Sequence, residues 1–324
     1  MTMTTETPPV VPATPPRVTL RVRLAKAWDS DLAWSFRHSP VAIVATAMTV
    51  LLLTASLCAG WIAPQNAFDP AAINLLDAYT KPGDIGMGSN TVFWLGTDNQ
   101  GRDLFSAILY GSRVSLFVGF LSVAFSVVMG VGLGLISGYV GGRTDAFIMR
   151  VADIQLSFPA ILIALLFFGV ARGVIPPSHH EQMAIWVLIV AIGLSNWAQY
   201  ARTVRGSTMV ERNKEYVQAA RVMGRPALFI MARHVLPNVT GPVLVIATIN
   251  LALAIIEEAT LSFLGVGVPA TQPSLGTLIR FGQQYLFSGE WWILFFPALA
   301  LVLLALSINL LGDWLRDALN PRLR

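Results

Sequence analysis

The stretch EYVQAARVMGRPALFIMARHVLPN, Glu215–Asn238, stands between two long apolar runs, and its reading decides what kind of membrane protein this is. It is short, basic and mixed in character, where a plain polar loop would be the simplest connection. On a helical period Val210, Asn213, Val217, Ala220 and Met223 fall near one face, flanked by Tyr216 and Ala219, while Glu211, Arg212, Lys214 and Arg221 point elsewhere. The Ala219–Ala220 pair leaves little side chain between the backbone and whatever lies against it. Gly224 fits the position just past a helix end, where a positive φ is often needed. Pro226 fits the start of a second helix, and Pro237 is expected to stop it. These features predict two short helices at an angle. Spacing alone leaves open a surface loop with fortuitous helicity.

The flanking sequence is that of an all-α membrane protein. The chain has 324 residues, of which 55% are hydrophobic and only 12% charged, against about 25% charged in a typical soluble domain. Six apolar runs are long enough to cross a bilayer. They predict six transmembrane helices at about Pro40–Ile62, Val114–Ile136, Val151–Ala171, Ala184–Ala201, Val243–Phe263 and Trp292–Leu311. Ser39 suits a helix cap and Pro40 the first helical position. Residues 1–16 are Thr- and Pro-rich and cannot bury a core. Residues 17–38 carry Trp28, Trp34 and Phe36 among basic residues and read as an amphipathic segment lying on membrane lipid. The expected organisation is an N-terminal segment 1–38, a first span with an external segment 39–111, a core 112–312 containing a loop at about 202–242, and a tail 313–324. Of the 22 Lys and Arg residues, 17 fall in the two termini and in the loops 137–150 and 202–242. Basic loops stay in the cytoplasm, so both termini and the Glu215–Asn238 segment are expected on that side.

Several chemistries are disfavoured. The single cysteine, Cys58, excludes an internal disulfide or a Cys-based metal cluster. His179-His180-Glu181 lacks the second His of a helical zinc motif, and no metal site is expected. All four histidines (His38, His179, His180, His234) lie outside the spans, which argues against an intramembrane enzyme. Basic residues are not interleaved with aromatics in soluble segments, so nucleic acid is not an expected partner. A phosphate-binding loop needs Gly-Lys-Ser/Thr, and none of Lys26, Lys81 and Lys214 follows a glycine. No ATP site is therefore expected in this chain. GVGLGLISGYVGG (Gly130–Gly142) suits close helix packing. Glu257 and Glu258 lie inside an apolar run, where ionisable groups usually face a protein interior or a water-filled cavity. They are candidates for the lining of a translocation path or gate, with a hydrogen-bonded packing role as the alternative. Asp153 is expected to pair with Arg143 or Arg150, and Asp98, Arg102, Asp103 and Arg113 to form a local ion-pair cluster.

The segment QAARVMGRPALFIMARHVLP resembles the cytoplasmic loop signature of ABC importer permeases. That pattern is Glu-Ala-Ala, three residues, Gly, nine residues, Ile, one residue, Leu-Pro. Ala219, Ala220, Gly224, Leu236 and Pro237 match it; Gln218 replaces the Glu and His234 the Ile. LGTDNQGRDLFSAILYGSRVSL (Leu95–Leu116) and EEATLSFLGVGVPATQPSLGTL (Glu257–Leu278) resemble the dipeptide, oligopeptide and nickel branch of that family. Ala107 stands where the branch often has Arg. Glu258 matches the family's Glu, whereas Glu257 is not part of the pattern. The resemblance implies a type I ABC importer permease fold in the cell membrane of a prokaryote. It also implies a coupling loop in which Glu215, Tyr216, Ala219, Ala220, Arg221, Gly224 and Arg225 meet a separate ATPase subunit. Expected partners are a homologous permease subunit, two ATPase subunits that bind ATP and Mg, and an extracytoplasmic substrate-binding protein. Di- or oligopeptides are the expected cargo, with nickel or another small solute as the alternative. An ion-coupled secondary transporter is disfavoured by the lack of a visible inverted repeat.

Overall fold

The computed structural model describes residues 31–269 and 271–319. The amphipathic reading of residues 17–38 falls largely outside them; within it lies one short helix, α1 (Asp31–Arg37). Ser39 caps α2 (Pro40–Leu57), its Oγ accepting from the Ala42 amide at 3.3 Å, with Pro40 in the first turn as expected. A further turn of helix, α3 (Ala59–Ile62), leads into an irregular segment.

Residues 63–103 form short turns and isolated backbone pairings, pinned by side chains. The Asp77 carboxylate accepts the amides of Gly88 (2.6 Å) and Ser89 (3.1 Å). Asp98 and Arg102 form a buried ion pair at 2.7 Å, and Asp103 caps the next helix through the Ser106 amide at 2.9 Å. The expected cluster thus forms from Asp98 and Arg102, with Asp103 serving as a cap. Arg113 lies apart from it, on the wall of a cavity between α2 and the next helix.

That helix, α4 (Leu104–Val140), has 37 residues, about 55 Å at 1.5 Å per residue. It is followed by α5 (Gly142–Leu156), α6 (Ala160–Val174), α7 (His180–Glu211), α8 (Glu215–Val222) and α9 (Ala227–Ile230). A π-helical turn, Met231–Val235, joins α9 to α10 (Leu236–Phe263). The chain then forms α11 (Leu275–Tyr285) and α12 (Trp292–Leu319).

Five of the long helices are apolar enough to cross a membrane; the sixth crossing would be the pair α5 and α6, bent by 100°. The expectation of one straight span at Val151–Ala171 is therefore corrected. Pro159 lacks an N–H and disfavours helical backbone at Phe158, so the helix ends at Leu156 and restarts at Ala160. The bend also corrects the partner of Asp153. Its carboxylate meets Arg202 of α7 at 2.5 Å, not Arg143 or Arg150 on its own element. This pair is more than half exposed and contributes little to stability.

The seam between α4 and α7 is closely packed and bears out the glycine reading. A Cβ at Gly130 would lie 2.5 Å from Tyr200 Cβ, one at Gly134 2.6 Å from the Ala201 carbonyl oxygen, and one at Gly138 2.7 Å from Thr208 Cβ. Ser126 Oγ donates across the seam to the Gly193 carbonyl at 2.9 Å. Gln155 fastens α5 to α7: its Nε2 donates to the Leu194 carbonyl (2.6 Å), and its Oε1 accepts from Trp197 Nε1 (2.7 Å).

Candidate functional site

The stretch Glu215–Asn238 forms a small, internally braced unit at one end of the bundle. Helix α8 ends in a paired turn: the Arg225 amide donates to the Ala220 carbonyl at 3.2 Å and the Gly224 amide to the Arg221 carbonyl at 2.9 Å. This satisfies the last carbonyls of the helix and requires a left-handed residue, supplied by Gly224 at φ 75°. Pro226 then precedes α9 as expected. Pro237 does not stop a helix, and that expectation is corrected. It sits in the first turn of α10, where a missing N–H costs nothing, and the π-helical turn carries the chain into the span without a break. Such turns mark places where helical register is adjusted, often at functional sites.

The brace centres on Glu211, a residue the helical period placed on the outer side. Glu211 is buried. The chain breaks from helix at residues 212–214, so the phase of α7 does not continue into α8 and the single helical wheel fails there. One carboxylate oxygen accepts from Lys214 Nζ at 2.6 Å, and the other accepts a short hydrogen bond from the Tyr216 hydroxyl. Asn238 Nδ2 donates to the same hydroxyl oxygen at 3.0 Å and to the His234 carbonyl at 2.7 Å. Partial burial, then the hydrogen bond and charge of Glu211, push the Tyr216 hydroxyl up to about 12, so it remains a donor at neutral pH. Tyr216→Phe removes this link between α8 and α10. It should loosen α8 by about 1.4 kcal/mol, seen as roughly tenfold faster hydrogen exchange of the amides of residues 217–223. Unchanged exchange there would remove the brace from the account.

Of the remaining expected residues, Ala220 turns inward with Val217 against Val204, Ile230, Val235 and Val239. Arg221 reaches back to α4, its guanidinium 4.7 Å from the Tyr139 ring centre and its Nε donating to Tyr139 Oη at 3.1 Å. Arg225 lies 5.3 Å from the Phe229 ring. Glu215 is exposed in the first turn of α8, where a carboxylate suits the helix dipole. Ala219 is exposed, as is Gly224. Arg212 donates to the Gly138 carbonyl at 2.8 Å, and Arg205 grips Asp145 with two hydrogen bonds of 2.5 and 2.6 Å. The base of the unit is thereby fixed to α4 and α5.

What projects outward is apolar. Val222 is 89% exposed, Met223 70% and Leu228 75%, with Phe229 beside them, around the Gly224–Pro226 turn. The helical period put Met223 on the face of Val217 and Ala220; the end of α8 at Val222 turns it away from them. Sequence reasoning passed over Val222, Leu228 and Phe229. Their signal was apolar residues flanking a Gly-Arg-Pro turn, where polar residues are usual. A cluster of exposed apolar side chains on a rigid base is a surface built for contact.

Glu257 and Glu258 belong elsewhere. They lie 19 and 20 residues beyond Asn238 on α10, about 28 Å along the helix, so the structure does not join the two candidate sets. Glu258 is fully buried; one oxygen accepts from Ser262 Oγ at 2.7 Å, and Ser115 and Ser274 lie alongside. Its other oxygen is buried without a hydrogen-bond partner, close to the start of α11, where Gly276 packs against the Ala259 backbone. Glu257 is half-buried and accepts from Asn196 Nδ2 of α7 at 2.8 Å. Among the described residues no group of His, Cys, Asp and Glu is arranged to hold a metal.

Residues 130–324 match the family model described as the inner membrane component of binding-protein-dependent transport systems. The chain is 35% identical to the di/tripeptide transport system permease protein DppC of Pseudomonas aeruginosa, over 97% of both chains. It is also 35% identical to the oligopeptide transport system permease protein OppC of Bacillus subtilis, over 91% of this chain and 90% of that one. In fold it resembles a chain of the MetNI methionine ABC transporter, solved in inward-facing conformations. The TM-score is 0.51 at 21% identity, covering 66% of this chain and 96% of the other. The braced loop, the bundle of long apolar helices and these likenesses lead to one assignment: the chain is a member of the family of inner membrane components of binding-protein-dependent transport systems.

Proposed function

We propose that this chain forms half of the translocation path of an ATP-driven importer of di- or oligopeptides. A homologous permease subunit supplies the other half, two separate ATPase subunits bind ATP and Mg, and an extracytoplasmic substrate-binding protein delivers the peptide. The peptide reading rests on relatives named for dipeptide and oligopeptide transport that align over nearly the whole chain. The basic loops 137–150 and 202–242 and both termini face the cytoplasm, following the distribution of Lys and Arg.

The single observation that carries the mechanical part is an apolar tip on a base that cannot give way. Val222, Met223, Leu228 and Phe229 are offered to a partner. The Glu211–Tyr216–Asn238 brace and the Arg221–Tyr139 stack fix α8 to α4 and α10. A partner that moves the tip therefore moves those helices as rigid bodies. Cargo passes as the two permease chains open alternately to each side.

The test is reconstitution in liposomes with the homologous permease, both ATPase subunits and the binding protein, following labelled dipeptide and nickel. Peptide accumulation that needs both ATP and the binding protein is expected. Accumulation without the ATPase subunits would overturn the proposal, and uptake of nickel in place of peptide would reassign the cargo.

A further inference from the structure

The interface between α7 and α10 carries a polar strip inside two apolar spans. Glu257 accepts from Asn196 at 2.8 Å. Further along, Asn250 Nδ2 approaches Gln199 Oε1 at 3.4 Å, and Thr203 Oγ1 donates to the Gln199 carbonyl at 3.1 Å. Asn196, Thr203 and Glu257 are half-buried and Gln199 is exposed, so the strip is open on one side rather than sealed in the core. Polar and ionisable side chains at membrane depth avoid lipid and face a protein interior or water. The strip therefore faces protein or water rather than lipid.

The two neighbouring acids divide the work. Glu258 is fully buried and bonds to Ser262 of its own helix. Glu257 has one neutral donor, and among the described residues no Lys, Arg or His pairs with it. It lies six residues before the end of α10 at Phe263, about 9 Å inside the span. An amide donor from Asn196 orients the carboxyl group and brings no positive charge beside it. The remaining acceptor positions are free for a cationic guest, and a charged acceptor binds such a guest more strongly than a neutral one.

We infer that Glu257, oriented by Asn196, is a specificity-determining site in the path that takes the ammonium or guanidinium group of a peptide in transit. The inference rests on the peptide-import reading above. It assigns this chain a preference by charge, in addition to whatever selection the binding protein makes. The cation can be the peptide's N-terminal ammonium or a Lys or Arg side chain.

The experiment uses the complete reconstituted transporter with three dipeptide probes, Lys-Ala, Ala-Ala and Asp-Ala, each free and N-acetylated. Uptake is compared for wild type, Glu257→Gln and Glu257→Asp, with ATPase stimulation by the binding protein as the check on assembly. Glu257→Gln should lower uptake about tenfold, of Lys-Ala relative to Asp-Ala if the side chain is the guest and of each free peptide relative to its acetylated form if the ammonium is, while Glu257→Asp keeps the wild-type ratios within about twofold. If the N-terminal ammonium is the guest, acetylation removes the effect of Glu257→Gln on Ala-Ala. If the side chain is the guest, the effect persists on acetylated Lys-Ala. Gln199→Glu adds a second carboxylate to the strip and should raise the Lys-Ala to Asp-Ala ratio; this holds the inference to account even where Glu257→Gln does not assemble. No change for any free peptide, or equal changes for all three that persist after N-acetylation, would overturn the charge assignment while leaving peptide import standing. A wild-type transporter that moves no peptide would overturn both.

Discussion

Met223→Asp combined with Leu228→Asp should leave the protein in the membrane at its normal level and lower peptide uptake at least about 100-fold. Both side chains project from the loop tip, 70% and 75% exposed, and neither joins the chain's own core. Exposed substitutions of this kind usually change stability by less than about 0.5 kcal/mol. Seating the tip in a partner would bury two unpaired carboxylates, and a penalty near 3 kcal/mol is enough for a 100-fold loss. Binding-protein-stimulated ATP hydrolysis should fall with uptake, because the partner is no longer engaged. Ala220→Arg would also abolish transport, but less informatively. Ala220 is 1% exposed and packs with Val217 and Val235, so that change breaks the loop itself. Normal uptake by the double variant would mean that the apolar tip is not a contact.

Gly134→Leu should prevent accumulation of folded protein. Even a Cβ there would lie 2.6 Å from the Ala201 carbonyl oxygen and 2.8 Å from Val204 Cβ. The first of these is backbone of the facing helix and cannot rotate away. Gly134→Ala alone should cost about 1–3 kcal/mol by forcing α4 from α7, and Leu more. Gly132 is the internal control, since nothing lies within 4 Å of a Cβ built there. Gly132→Ala should be neutral or stabilising by up to about 1 kcal/mol through helix propensity. Thermal unfolding in detergent, with membrane yield beside it, separates the three. Equal behaviour of Gly132→Ala and Gly134→Ala would contradict the close seam.

Most of the fold was legible because membrane spans are announced by the residues themselves. Apolar runs located the crossings, Ser39-Pro40 marked a helix start, and the spaced glycines of residues 130–142 marked a close seam. Gly224 was readable because only a few residues tolerate its φ of 75°. The bend at Pro159 was not, because the apolar pattern runs through it unbroken and hydropathy averages over a kink. Pro237 misled for a related reason: one residue type both stops a helix and starts one, and the π-helical turn that decides between them has no sequence signal. Asp153 found Arg202, 49 residues away, a pairing that exists only because α5 folds across α7. Within the loop, the helical wheel placed Val217 and Ala220 correctly but lost Glu211 and Met223, because it assumed one continuous helix where residues 212–214 interrupt it.

The docking of the loop tip can be read directly by photo-cross-linking. A benzophenone side chain at Met223 of the assembled, liposome-embedded transporter should form its adduct with an ATPase subunit. The same group at Leu76, 72% exposed in the irregular segment at the opposite end of the bundle, should form none with that subunit. An adduct from Met223 to the binding protein, or none to the ATPase while Leu76 captures it, would contradict both the orientation of the chain and the role given to Glu215–Asn238.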